Sequence, residues 1–176
     1  MRHLCLLPIF SIFCTIAIAQ QPNATPSPSP DERLAESAPV VTHHQITVAG
    51  KLLKYTATAG RLILKPESGP AQAAMFFTAY TLDGEDAHTR PLTFVFNGGP
   101  GTATAWLHMG ALGPRKIKLE RDGGVPAPPY AVVDNPETIL DRTDLVFIDA
   151  PGTGYSRVRP DLTKQFYNVD GDADAF

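Results

Sequence analysis

Two short apolar runs, each followed directly by a glycine-rich turn, constrain the fold more than any other feature. Residues 92–96 read Leu-Thr-Phe-Val-Phe, and residues 144–148 read Asp-Leu-Val-Phe-Ile. Nearly continuous apolar runs of this length are typical of parallel strands that are buried on both faces. Ligands of open α/β sheets bind just outside the carboxyl ends of such strands. The sequence therefore predicts that both glycine-rich turns lie at one ligand-binding edge of a sheet.

The segment before these runs has the pattern of antiparallel strands. Residues 45–48 and 52–58 alternate apolar with polar side chains on either side of Ala49-Gly50, which predicts a β-hairpin. Residues 61–65 and 73–80 predict two further strands, with a turn rich in proline and glycine between them. The predicted fold class is α/β, with a mixed sheet that begins in an N-terminal antiparallel β-region.

Helical patterns are fewer. Residues 104–112 predict a helix that ends at Gly113-Pro114, a pair that stops helices. Residues 170–176 are rich in aspartate, which suits the first turn of a helix because carboxylates interact favourably with the positive end of the helix dipole. A chain that ends one turn into a helix suggests truncation, so we expect residues 42–176 to be the N-terminal portion of a larger domain.

The N-terminus has the features of a secretory signal peptide. Arg2 and His3 precede an apolar run that ends in Ala17-Ile18-Ala19, the small-residue pattern of a cleavage site. The run is too short to cross a bilayer comfortably. We therefore expect residues 1–19 to be removed and the protein to be exported, to the periplasm or the extracellular space. Both cysteines, Cys5 and Cys14, would leave with this segment.

Residues 20–41 alternate proline with serine, threonine and alanine. Such a composition buries too little apolar surface to offset the entropy of ordering, which predicts a disordered linker.

Charge and composition argue against several classes of partner. The net charge is -3 and no basic patch occurs, so we expect no nucleic-acid partner and, after signal cleavage, no membrane association. No cysteine and histidine spacing suggests zinc. Asp170-Gly171-Asp172 imitates the start of a calcium loop, but Ala175 stands where the loop needs glycine, and no glutamate closes it. We expect neither a metal nor a cofactor.

The turn at residues 97–101, Asn-Gly-Gly-Pro-Gly, is the candidate site. Three glycines within four residues allow the backbone to approach a ligand closely. Preformed N–H donors next to a reacting carbonyl are what acyl transfer needs to stabilise its oxyanion. A phosphate loop fits poorly, because no Lys-Ser/Thr pair follows and the glycines lack the dinucleotide-binding spacing. A plain tight turn also fits the glycine pattern.

Four ordered motifs resemble the serine carboxypeptidases, the S10 peptidase family. Residues 97–101 resemble the family's Asn-Gly-Gly-Pro-Gly motif, and residues 111–114 its downstream Gly-Pro. Residues 134–138 are similar to its Asn-Pro segment, and residues 144–156 to the strand and turn that precede its nucleophile elbow. Ordered motifs at compatible spacing are more specific than any one of them. They cover about the second half of the chain.

The resemblance implies an α/β-hydrolase that releases C-terminal residues from peptides with a Ser-Asp-His triad. It implies that the Gly99 N–H belongs to the oxyanion hole, that Gly98 allows the loop geometry, and that Asn97 binds the substrate's C-terminal carboxylate. Thr102 stands where many relatives have cysteine, and Ile139-Leu140 where an aromatic residue is common. These departures, and a second turn one residue shorter than in eukaryotic relatives, point to a bacterial-type branch.

The triad itself is not present in this chain. The sequence contains no Gly-x-Ser-x-Gly; Ser156 comes closest but lacks the final glycine, so we interpret it as a turn residue. The triad order is serine, aspartate, histidine, and His43, His44, His88 and His108 all precede any possible elbow. We interpret these histidines as surface or strand polar residues. We expect the chain alone to be inactive. An acyltransferase or esterase on the same fold, and a non-catalytic exported domain, remain alternatives.

Overall fold

Strands form most of the regular structure in a computed structural model of the chain, which describes residues 28–97 and 101–176. The strands are β1 (Val40–Val48), β2 (Lys51–Leu64), β3 (Ala73–Leu82), β4 (Leu92–Phe96), β5 (Arg115–Ile117), β6 (Val132–Asp134), β7 (Asp144–Ile148) and β8 (Arg157–Val158). The helices are α1 (Pro30–Arg33), α2 (Ala105–Leu107), α3 (Thr163–Phe166) and α4 (Val169–Ala173). A π-helical turn, His108–Leu112, continues α2, and a 3-10 turn, Pro160–Leu162, precedes α3.

One mixed sheet carries the fold, with the strand order β1-β2-β3-β7-β4 and β8 paired to β3. The neighbours from β1 to β7 are antiparallel, whereas β4 and β7 are parallel. Strands β5 and β6 form a separate antiparallel pair. The predicted α/β class, the antiparallel N-terminal region and the parallel pairing of the two apolar runs are therefore confirmed.

The first hairpin is confirmed, but one strand prediction is wrong. Ala49 and Gly50 both have positive φ, 48° and 81°, as a two-residue type I′ turn requires. Residues 61–65 do not form a separate strand, because β2 continues without a break through Gly60. Gly60 pairs with Phe77, and a Cβ there would lie 3.0 Å from the Phe77 ring. This glycine therefore reflects a close approach within a strand.

The segment predicted as a linker is partly ordered. Residues 1–27, which include the predicted signal peptide, lie outside the described residues. Within residues 28–41, Ser29 and Glu32 form a reciprocal capping box at α1, with N–H to side-chain distances of 2.6 and 3.2 Å. Leu34 is 4% exposed, and the Arg33 carbonyl accepts a hydrogen bond from Arg61. The composition of the segment does not predict this order, because only one apolar side chain and two capping residues produce it.

The hydrophobic core lies on one face of the sheet. It joins residues of β1, β2, β3, β4 and β7, and α2 with the π-turn packs against it through Leu107 and Leu112. The opposite face of β4 is open: Leu92, Phe94 and Phe96 are 52%, 58% and 50% exposed. The expectation that β4 is buried on both faces is therefore wrong within the described residues, because the helix that follows β4 covers one face only. None of the helices in these ranges is long and apolar enough to cross a bilayer.

A buried ion pair fixes the start of the two parallel strands. Arg90 Nε lies 2.6 Å from Asp144 Oδ1, and both side chains are 9% exposed. Arg90 also donates to the Leu140 carbonyl, and the same Asp144 oxygen accepts the Leu82 N–H at 3.0 Å. Because Asp144 stands beside Leu92 in the parallel register, these contacts set the alignment of β4 and β7.

Substitution Asp144→Ala should lower the free energy of unfolding by about 3–5 kcal/mol, because it leaves the Arg90 charge buried without its partner. Urea denaturation of the purified protein measures this. The control is Asp141→Ala, which removes an exposed pair with Arg142 at 3.7 Å and should cost no more than about 1 kcal/mol. Equal losses in the two variants would contradict a structural role for the buried pair.

Candidate functional site

The two glycine-rich turns leave the sheet at the same edge. In the parallel register Phe96 pairs with Ile148, so Asn97 and Asp149 are the first residues beyond neighbouring strands. The sequence-based prediction that the turns lie together is confirmed for their described residues. Gly98 and Gly99, two of the three predicted site residues, lie outside the described residues.

The carboxylate of Asp149 joins the two turns. Its Oδ1 accepts the N–H of Thr104 at 2.9 Å, and its Oδ2 accepts the N–H of Tyr155 at 3.0 Å. The residue is 8% exposed. Hydrogen bonds to an ionised acceptor are roughly twice as strong as neutral ones. Asp149 therefore connects the segment that follows β4 to the segment that follows β7.

Thr104, which is bonded to Asp149, also contacts the predicted site residue Asn97. Its side chain is buried, at 2% exposure. Thr104 Oγ1 accepts the backbone N–H of Asn97 at 3.2 Å and donates to the carbonyl of Ile148. The half-buried Asn97 is thus held at the mouth of the turn by the residue that begins helix α2.

Ser156 has a structural place in the second turn. It is 1% exposed, and its Oγ donates to the Asp149 carbonyl at 2.7 Å. The same oxygen accepts the Phe76 N–H from β3 at 2.8 Å. The hydroxyl is engaged on both sides, in agreement with its interpretation as a turn residue.

The other end of the α2 segment is fixed by two later motifs. Asn135, fully buried, donates from Nδ2 to the carbonyls of Ala111 and Gly113 at 2.6 and 2.8 Å. Thr138 donates to the Leu112 carbonyl at 2.7 Å. Carbonyls at the end of a helix lack partners within the helix, and these side chains supply them. The motifs at residues 111–114 and 134–138 therefore form one contact.

His108 differs from the sequence-based interpretation. His43, His44 and His88 are exposed, as expected, but His108 is half-buried. Its Nε2 is hydrogen-bonded to Tyr80 Oη at 2.6 Å, and its ring stacks on Phe147 with centroids 4.5 Å apart. The helical spacing that turns His108 toward the sheet was available in the sequence, but the polar side chain favoured a surface position.

Burial sets the protonation of this pair. It lowers the pKa of His108 and outweighs the Asp149 charge, which acts in the opposite direction. It also raises the pKa of Tyr80 to about 12. Both side chains are therefore neutral at pH 7. His108 lines a mostly apolar cavity of about 320 Å³ whose walls include Thr104, Asp149 and Tyr155 from the two turns.

The acidic segment near residue 170 is helical. Asp170 and Asp172 lie in α4, whose N-terminus is capped by the Asn168 side chain through the Gly171 N–H at 2.9 Å. Across the described ranges, no group of three or more histidine, cysteine or carboxylate side chains is arranged to hold a metal ion.

The two glycine-rich turns lie at the carboxyl edge of paired parallel strands, which is where open α/β sheets bind their ligands. Comparison with known families identifies the family within this class. The model of the serine carboxypeptidase family, peptidase S10, matches residues 60–174. The match spans both turns and well over half of the chain. The chain therefore belongs to the serine carboxypeptidase family. A comparison with curated proteins gives no match.

The half-buried His108 predicts an acid-sensitive contribution to stability. Its folded-state pKa lies below the unfolded value of about 6.5, so between these two values the unfolded state binds the extra proton. Stability should therefore fall as the pH drops below about 6.5. Urea denaturation at pH values above and below about 6.5 should show that His108→Gln lacks this loss of stability, while the exposed control His88→Gln retains it. The same pH dependence in all three proteins would contradict the assignment.

The engaged hydroxyl of Ser156 predicts that this serine is not a nucleophile. A fluorophosphonate probe followed by peptide mapping should leave Ser156 unlabelled. Ser156→Ala should lower the free energy of unfolding by about 1–3 kcal/mol, because the Phe76 N–H loses its acceptor. The exposed control Ser68→Ala should have little effect. Labelling of Ser156 would contradict this account.

Proposed function

We propose that the protein is an exported serine-type carboxypeptidase with an α/β-hydrolase fold, which releases C-terminal residues from peptides. The observation that carries the proposal is the family match, which includes both turns of the site. The joining of those turns at one sheet edge by Asp149 supports it. The signal-like residues 1–19 support export.

The turn after β4 would supply two binding functions. The Gly99 N–H would donate to the oxygen of the scissile carbonyl as it becomes an oxyanion, and Gly98 would let the backbone approach. Donors fixed before the reaction stabilise this charge best, since no reorganisation is needed when it forms. The hydrogen bond from the Asn97 N–H to Thr104 supports such a fixed geometry at the entrance of the turn.

Asn97 would select a free C-terminus. A carboxamide donates N–H groups to a carboxylate without carrying a full charge itself. Asn97 precedes the proposed oxyanion donor, Gly99, by two residues in the sequence. This spacing would place the scissile carbonyl one residue from the free carboxylate, which is the geometry of removal of a single C-terminal residue.

The nucleophile would come from outside the 176 residues. The sequence contains no Gly-x-Ser-x-Gly, and the buried Ser156 is hydrogen-bonded on both sides. We propose that the coding sequence continues past Phe176 and supplies the serine, the aspartate and the histidine in that order. Residues 1–176 alone would then show no turnover. An open reading frame without this motif downstream would refute the proposal.

Asn97→Ala tests the proposed carboxylate contact in the protein that carries the serine. The variant should lose about tenfold or more in kcat/KM for free-acid peptides, because a hydrogen bond to a charged group is worth about 1.5–3 kcal/mol. Peptides with a blocked C-terminus, which lack the charge, should react equally slowly with both proteins. Steady-state kinetics on the paired substrates measure this difference.

The matched control is Gln45→Ala, which removes an exposed carboxamide from β1. This variant should leave kcat/KM for both kinds of peptide unchanged. Faster turnover of blocked peptides or simple esters than of free acids by the unaltered protein would favour the esterase or acyltransferase alternative. If Asn97→Ala lowered kcat/KM equally for free-acid and blocked peptides, Asn97 would not bind the substrate's carboxylate.

A further inference from the structure

We infer that Asp149 is a positioning residue, which fixes the separation of the two glycine-rich turns and thereby the position of the backbone at Asn97, where the proposed oxyanion loop begins. This inference rests on the proposed function. It assigns a role to a side chain that neither binds the substrate nor transfers a proton.

Both oxygens of the Asp149 carboxylate accept hydrogen bonds from the backbone. Each oxygen accepts one N–H, from Thr104 at 2.9 Å and from Tyr155 at 3.0 Å. The two donors bond to different oxygens of the carboxylate and belong to segments that follow different strands. A carboxamide does not replace it, because its NH₂ group would face one of two N–H donors. The arrangement therefore requires two acceptor oxygens at this position.

The second turn is shaped around the same carboxylate. Gly154 has a φ of +48°, and a Cβ at this position would collide with Asp149 Oδ2. Glycine is needed here both for the left-handed backbone and for the space. The turn at residues 152–155 thus encloses the carboxylate, and the Tyr155 N–H completes the enclosure.

A short chain of hydrogen bonds transmits this position to the proposed oxyanion loop. Asp149 holds the N–H of Thr104, and Thr104 Oγ1 accepts the N–H of Asn97. Asn97 is the residue from which the loop at residues 97–101 departs. A shift of Thr104 therefore moves the beginning of the loop, and misplacement by about 1 Å is enough to cost a catalytic group much of its effect.

Amide hydrogen exchange tests the tether directly. In the unaltered protein the N–H groups of Thr104 and Tyr155 should exchange at least about tenfold more slowly than that of Gly124, which is bonded to Asp122 in an exposed turn at 2.9 Å. In Asp149→Asn, one of the two should exchange about tenfold faster. Exchange as fast as that of Gly124 in the unaltered protein would overturn the tether even if the variant fails to fold.

Kinetics separate positioning from stability. In the protein that carries the catalytic serine, active sites are counted by titration with a serine-directed reagent. Asp149→Asn should then show kcat per titrated site lowered by about tenfold to a hundredfold, since the start of the proposed oxyanion loop at Asn97 is displaced. The control Asp122→Asn should stay within about twofold, because its single backbone hydrogen bond lies in an exposed turn.

The outcomes are distinguishable. A purely structural role for Asp149 would lower the number of titrated sites but leave kcat per site unchanged, which would overturn the inference. If the unaltered protein releases no C-terminal residue from any peptide, the proposed function fails, and the effect of Asp149 on catalysis through the loop fails with it. The exchange rates would still decide whether the tether exists.

Discussion

The parallel pairing of β4 with β7 is the constraint on which the site depends. It places Phe96 beside Ile148, so the two glycine-rich turns begin at the same edge of the sheet. Two carboxylates secure this pairing from opposite ends. Asp144 is paired with Arg90 where the strands begin, and Asp149 accepts backbone N–H groups where they end. A slip of the register between β4 and β7 would separate the turns, and it would part Asp144 from Arg90 and Asp149 from Thr104.

The segment that crosses between these strands is anchored along its length. Its helix starts at Thr104, which is bonded to Asp149, and its middle is held by the hydrogen bond of His108 to Tyr80. Its end is held by Asn135 and Thr138. Buried polar groups cost free energy unless they are hydrogen-bonded, so these contacts specify one position for the helix. The oxyanion loop proposed for residues 97–101 lies between the first strand and this fixed helix.

Much of this was predictable where a pattern repeats along the chain. The apolar runs indicated the parallel pair, and the Ala49-Gly50 turn indicated the first hairpin. Contacts between distant residues carry no such pattern: Thr104 and Asp149 are 45 positions apart, and neither is unusual in its own segment. The polarity of His108 favours a surface position, whereas the structure places its ring against Tyr80 and Phe147. The family motifs indicate which distant segments matter for the site. They do not show which atoms of these segments form the contacts.

The most direct test of the central claim is a crystal structure of the serine-bearing protein with a peptidyl boronate, which mimics the tetrahedral intermediate. The account predicts that the boronate oxygen lies about 2.7–3.1 Å from the Gly99 amide nitrogen, the distance of an oxyanion-hole donor. It also predicts that the Asp149 carboxylate keeps its contacts to Thr104 and Tyr155 in that complex. An oxygen held by other donors, with the Gly99 N–H directed away from it, would contradict the account.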